Sequence, residues 1–210
     1  RTTHDVTQSA ESWKRYLDTA ARLHKYRFDE QLLIYAQRPD ATACAEMELW
    51  NNIMRRWVKP KSTGIALISR DGRGKPKLRY VYDIADTRPV RGAKMPYLWE
   101  VTQAKHDAIR EALERQYGPS GEMDFGNQLM EQARRAVNAV YRDDLTDLAY
   151  DTKDSLLEEL DDLNLEVRYR NLLTASVQYT VLTRCGLDPS DYLEDEDLRG
   201  ISEFSTPAVL

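Results

Sequence analysis

Residues 50–61 read WNNIMRRWVKPK and residues 70–79 read RDGRGKPKLR. The first stretch sets Trp50 and Trp57 around Arg55 and Arg56 and runs on into Lys59 and Lys61; the second gathers Arg70, Arg73, Lys75, Lys77 and Arg79. Cationic side chains bind phosphates by releasing condensed counterions, and aromatic faces stack on unpaired bases for about 1–3 kcal/mol per base. Together they are the ingredients of nucleic-acid binding. No side-chain pair stands out as a reader of base edges, so such binding would tolerate many sequences. The bland alternative stays open: tryptophans seven residues apart could share the buried face of one helix, and a charged turn can simply be solvated.

Other chemistry is sparse. Cys44 and Cys185 stand alone, far apart, and read as buried free thiols. His4, His24 and His106 are equally isolated, with no H-E-x-x-H and no Cys/His cluster, so neither a metal site nor a cofactor is expected. Asp83 with Asp86, after a strand, and the pair Asp161 and Asp162 could hold a metal or work as acids. Neither has a phosphate-cradling glycine loop, an activated Ser or Cys, or a histidine base beside it, and strand-end aspartates commonly form turns. The expectation is a non-enzyme with no small-molecule substrate.

Charge divides the chain. Up to Lys94 there are 19 Lys and Arg against 11 Asp and Glu, a net +8; beyond it there are 11 against 24, a net −13, which gives −5 for all 210 residues. A basic front and an acidic rear point to a polyanion at one end and solvent or a protein at the other. Hydrophobic residues at 41% and charged residues at 31% suit a globular protein, and no apolar run approaches the roughly 18–20 residues that cross a bilayer. The opening RTTHDVTQSAES lacks the order of a secretory signal, so the cytoplasm is the expected compartment and no membrane partner is expected.

Periodicity supplies the elements. Trp13, Tyr16, Leu17, Ala20 and Leu23 predict a helix over 9–26; Phe28, Leu32, Leu33 and Ala36 a second, stopped at Arg38-Pro39. Residues 42–45 read as extended, and Leu49, Ile53 and Trp57 predict a third helix carrying Arg55 and Arg56. IALIS and LRYVYDI predict a β-hairpin about a turn with Asp-Gly and a second glycine, and 87–96 reads as a linker. In the second strand Lys77, Arg79 and Val81 share one face and Leu78, Tyr80 and Tyr82 the other; one face must be core. Beyond it, helices are expected from Val101 to Tyr117, over Leu129–Tyr141, from a cap at Asp144 through Leu163, and over 166–185. The final FSTPAVL reads as a helix start, which implies a piece of a longer polypeptide. The fold class is α+β: residues 1–95 a small basic module of about three helices with a hairpin or short antiparallel sheet, and residues 96–210 an acidic, mostly helical bundle.

The stretch YRFDEQLLIYAQRPDATACAEMELWNNIMRRWVK, followed by GIALI, resembles the N-terminal domain of ArdC-type antirestriction proteins, a domain associated with single-stranded DNA. LRYVYDIADT and the helical tract ending in FSTPAVL extend a likeness to the front of very large proteins of conjugative and phage-like elements, whose later parts resemble DNA methylases and helicases. The chain departs at VKPKSTG, where Pro60 stands in place of a common glycine and stiffens the turn; the metalloprotease part of the antirestriction proteins has no counterpart. The resemblance implies phosphate contacts from Arg27, Arg55, Arg56, Lys59 and Lys61 with the hairpin cations Arg70, Arg73, Lys75, Lys77 and Arg79, and stacking on Tyr26 and Trp50. It implies a bacterial mobile-element protein, with any catalysis downstream. A competing reading assigns the function to the rear, where LEELDDLNLE and DYLEDEDL could imitate a row of phosphates and engage a host defence protein.

Overall fold

The computed structural model describes residues 2–70, 72–96, 101–152 and 155–205. Helices dominate, and short antiparallel strands occur between Cys44 and Pro89, so the fold is α+β. Backbone contacts divide the chain into two compact units, one of residues 3–18 with 100–210 and one of residues 19–99. Of the FSTPAVL helix start at 204–210, residues 206–210 lie outside the described residues.

The unit of residues 19–99 is built on strands β1 (Cys44–Glu46), β2 (Arg56–Val58), β3 (Ile65–Arg70), β4 (Pro76–Asp83) and β5 (Thr87–Pro89). β1, β4 and β3 form an antiparallel sheet in that order, and β2 pairs with β5 in a separate ladder. Alternation along the strands buries Ile65, Leu67 and Val81, which pack with Leu23, Ile34 and Ala41. Each of the larger aliphatics contributes roughly 1.5–3 kcal/mol by leaving water.

Asp83 closes this core. Its carboxylate is buried and accepts the backbone N–H groups of Thr42 at 2.7 Å, Ala43 at 3.0 Å and Ala85 at 2.9 Å, which fixes the approach to β1 and the exit from β4. Asp86 is held by Arg38 at 2.7 Å. Both carboxylates therefore have structural partners within the fold.

Two segments differ from their sequence patterns. The helix expected through Trp57 stops early: residues Leu49–Ile53 make one wide turn, the Met54 N–H donates to the Leu49 carbonyl at 3.0 Å, and Arg55 takes a left-handed φ of 52°. That conformation ends a helix, and the chain leaves it as strand β2, carrying Trp57 out. The linker expected over 87–96 supplies β5, because Trp57 and Arg88 are partners across the ladder.

The other unit contains helices α1 (Thr2–Thr7), α2 (Ala10–Arg22, whose last residues belong to the sheet unit), α4 (His106–Tyr117), α5 (Phe125–Asp151), α6 (Asp162–Arg184) and α7 (Asp195–Arg199); α3 (Phe28–Gln37) lies in the sheet unit. Asp124 caps α5 by accepting the Asn127 N–H at 2.9 Å, and Asp161 caps α6 through the Asn164 N–H at 2.9 Å. Leu129, Ala133, Val137, Tyr141 and Leu148 are buried along one side of α5, and Leu165, Leu172, Ala175, Tyr179 and Leu182 along α6. Trp13 donates its indole N–H to Ser176 at 2.9 Å, and the Tyr179 hydroxyl donates to Asp18 at 3.1 Å. The helix expected from Asp144 to Leu163 is absent as a unit: α5 runs straight through Asp144, turns occupy 155–160, and α6 begins at Asp162. Apolar periodicity continued across the turn and hid it.

Among the described residues, no helix is long and apolar enough to cross a membrane.

Candidate nucleic-acid interface

The sheet has one covered and one open face. Register pairs Ala66 with Tyr80, Ile68 with Leu78 and Ala45 with Tyr82, so these residues share the side opposite Ile65, Leu67 and Val81. Tyr80 is 50% exposed and Ile68 58%, which makes this a solvent-facing apolar surface with aromatic rings on a central strand. Gly64 underlies it: a Cβ there would meet Tyr80 Cβ and the Tyr82 ring at 3.1 Å, a tight contact that would push the rings aside by a few tenths of an ångström.

Arg79 falls on the covered side and is consumed there. It pairs with Glu30 at 2.5 Å and Glu46 at 3.2 Å, and its guanidinium lies 6.0 Å from the centre of the Tyr26 ring. Tyr26 donates its hydroxyl to the Cys44 carbonyl at 2.8 Å, and burial pushes its phenol pKa well above the ordinary value. Arg79 is thus an ion-paired cation, and Tyr26 is packed against the core with a cation over one face. Arg27 is exposed beside Asp29 at 3.3 Å.

Trp50 and Arg56 also change role. Trp50 is 1% exposed and donates its indole N–H to the Tyr82 carbonyl at 2.8 Å, so it anchors the wide turn to β4 and offers no face to a base. Arg56 is buried, donating Nε to Thr87 Oγ1 at 2.9 Å and Nη1 towards Met95 Sδ at 3.5 Å, and joins β2 to β5 from within. Strand alternation makes the exchange: with Arg56 inward, Trp57 must point out.

Trp57 is 51% exposed, and Arg88 lies over its ring with the guanidinium carbon 5.7 Å from the centroid. The sequence left Trp57 open between a stacking ring and a buried helix face, because it fits a helical period, and it gave no role to Arg88, which lies in a Pro- and Gly-bearing stretch. Near this pair the ladder carries the expected cations. Lys59 donates its backbone N–H to the Asp86 carbonyl and its ammonium to the Ala85 carbonyl, both at 2.8 Å. Pro60 and Lys61 form a turn closed by the Ser62 N–H donating to the Lys59 carbonyl at 3.2 Å; Lys61 has a φ of 67°, the value a type II turn requires of the residue after proline. Arg55 extends its side chain beside Gly92, whose φ of 78° lets the returning chain approach it.

Charge segregates within this unit. Residues 19–99 hold 16 Lys and Arg against 8 Asp and Glu. Glu30 and Glu46 go to Arg79, Asp40 and Asp86 to Arg38, Asp29 to Arg27, and Asp83 to backbone N–H groups. Among the described residues no ion pair engages Arg55, Lys59, Lys61, Lys77, Arg88 or Lys94. Arg70 donates to the Gly74 carbonyl at 3.1 Å and, with exposed Arg73, Lys75 and Lys77, occupies the tip of the β3–β4 hairpin. The structure thus gathers Arg55, Lys59, Lys61, Trp57 and Arg88 around one ladder. It holds Arg70, Arg73, Lys75 and Lys77 at the hairpin tip and takes Tyr26, Trp50, Arg56 and Arg79 into structural roles.

The acidic rear is less regular than its sequence implied. Glu158 and Glu159 lie in turns, Asp161 is a helix cap whose pKa is lowered by the Asn164 N–H groups, and Asp197 caps α7 by accepting the Glu194 N–H at 2.8 Å. Among the described residues no group of three or more His, Cys, Asp or Glu is placed to hold a metal ion. Comparison of the chain with family models, with curated proteins and with solved structures gave no match.

Proposed function

We propose that residues 19–99 bind single-stranded nucleic acid, single-stranded DNA above all, with little sequence preference. The observation that carries this reading is the exposed Trp57 ring with Arg88 over it, set among cations that have no ion pair among the described residues. A base stacked on Trp57 would place its flanking phosphates within reach of Lys59, Lys61 and Arg55, and Tyr80 on the open sheet face offers a second ring. A duplex keeps its base faces inside the helix and would gain the charge contribution alone. In this proposal the chain is an ArdC-like front region of a larger bacterial mobile-element protein that transfers, modifies or protects DNA, and works in the cytoplasm where that DNA enters.

Fluorescence anisotropy with a labelled single strand of about 20 nucleotides, its duplex and the matching RNA, at two salt concentrations, tests the reading. Single strands should bind more tightly than duplex, and affinity should fall steeply with salt. Equal affinity for duplex, or no binding at low salt, contradicts it.

A further inference from the structure

A cleft of about 570 Å³ opens in the helical unit between α5, α6 and α7. Arg134 and Asn138 line it from α5, one helical turn apart, and Arg170 and Asn171 line it from α6. Arg170 lies with its guanidinium carbon 5.9 Å from the centre of the Tyr141 ring, which steadies the group without neutralising it. Neither Arg134 nor Arg170 has an ion pair among the described residues. The carboxylates on the α7 wall are already engaged: Asp197 accepts the Glu194 N–H, and Glu196 pairs with Arg199 at 2.7 Å.

We infer that this cleft binds a small phosphate monoester joined to a hydrogen-bonding heterocycle, the nucleoside monophosphate class. Two guanidinium forks from adjacent helices match the paired oxygens of a phosphoryl group. The volume exceeds what a bare phosphate fills and lies in the usual range of small-ligand sites, roughly 300–1,000 Å³. The rest of the lining suits a heterocycle: Asn138 and Asn171 each present a donor and an acceptor on one planar amide, the pairing that matches the edge of adenine. Gln178 also lines the cleft; its amide donates to the Met130 carbonyl at 2.9 Å, which orients its carbonyl oxygen as an acceptor. A nucleic-acid strand is disfavoured here, because residues 3–18 and 100–210 carry 27 Asp and Glu against 13 Lys and Arg, a net −14 that repels a long polyanion. A ligand with one phosphoryl group needs only the local arginine pair. This site is independent of the sheet unit and of the function proposed for it.

Isothermal titration calorimetry of the full chain with AMP, inorganic phosphate and adenosine as separate probes tests the inference. AMP should bind saturably and at least tenfold more tightly than either phosphate or adenosine. Arg134→Gln and Arg170→Gln should each weaken AMP binding at least tenfold while leaving single-stranded DNA binding unchanged, and unchanged far-UV circular dichroism melting shows that the variants fold. Glu196→Gln should tighten AMP binding by removing a negative charge from the cleft wall, and it decides the matter if an arginine variant does not fold. No saturable AMP binding, AMP binding unaffected by both arginine variants, or phosphate binding as tight as AMP overturns the proposal.

Discussion

Across the β2–β5 ladder the guanidinium of Arg88 lies 5.7 Å from the centre of the Trp57 ring, and the two residues are direct cross-strand partners. The contact is worth about 0.5–1 kcal/mol at an exposed site and holds the indole in one orientation. A ring fixed in advance loses less entropy when a base stacks on it. One face of the ring meets the cation, so the ring and a phosphate-binding group occupy the same few ångströms of surface.

Substituting the exposed rings should therefore cost affinity and leave the fold intact. Trp57→Ala and Tyr80→Ala are each expected to weaken single-strand binding by about 1–3 kcal/mol, roughly 5- to 150-fold, with little change in melting temperature. Trp50→Ala should do the opposite, lowering stability by about 3–5 kcal/mol in denaturant titrations, because it empties a buried site and orphans the Tyr82 carbonyl.

The cations separate by the same logic. Lys61→Gln should lower the slope of log affinity against log salt by about 0.7, the value of one phosphate contact on a single strand. Arg79→Gln should leave that slope unchanged and destabilise the unit by about 1–3 kcal/mol, since Glu30 would be left partly buried without its partner. Equal slope changes in the two variants would contradict the division into free and neutralised charges.

Lys61 holds a left-handed backbone that glycine adopts without strain. Lys61→Gly is expected to raise stability by about 1 kcal/mol while still losing the salt-slope contribution of the lysine. Thermal melting and the salt titration read the two effects separately.

Burial pushes the Cys44 thiol up to about 12 and the Cys185 thiol up to about 11. Both should stay protonated and resist Ellman's reagent in the folded chain at pH 8, reacting after denaturation. Above about pH 9 the unfolded chain loses these protons and the folded chain keeps them, so the folded state binds more protons and stability must fall as pH rises towards 11–12. Serine at both positions should flatten that fall; an unchanged alkaline profile would show that the thiols are not its source.

Much of the fold is written in local pattern. The β-branched runs around RDGRGKPK read as strands and are β3 and β4, and the buried positions of α5 at Leu129, Ala133, Val137 and Tyr141 follow a four-residue spacing. The face that Val81 shares with Arg79 is the core face, a choice that strand alternation posed and packing under α3 settled. What stayed hidden depended on single backbone angles and distant pairing. A left-handed φ at Arg55 has no signature in WNNIMRRWVK, and it follows the wide turn after which Trp57 lies on a strand instead of a helix face. Arg88 could not be joined to Trp57 without the β2–β5 pairing, and Arg79 could not be discounted without Glu30, 49 residues away in the chain. Composition located the charge surplus, whereas tertiary contacts decide which cations remain available.

The most direct test is the affinity of the double variant Trp57→Ala, Tyr80→Ala for a 20-nucleotide single strand and for the corresponding duplex, measured by anisotropy at low and at physiological salt beside the unaltered chain. The predicted result is a single-strand affinity reduced to that for duplex, with the salt slope and the melting temperature preserved. A variant that binds single strands as tightly as the unaltered chain would contradict the account.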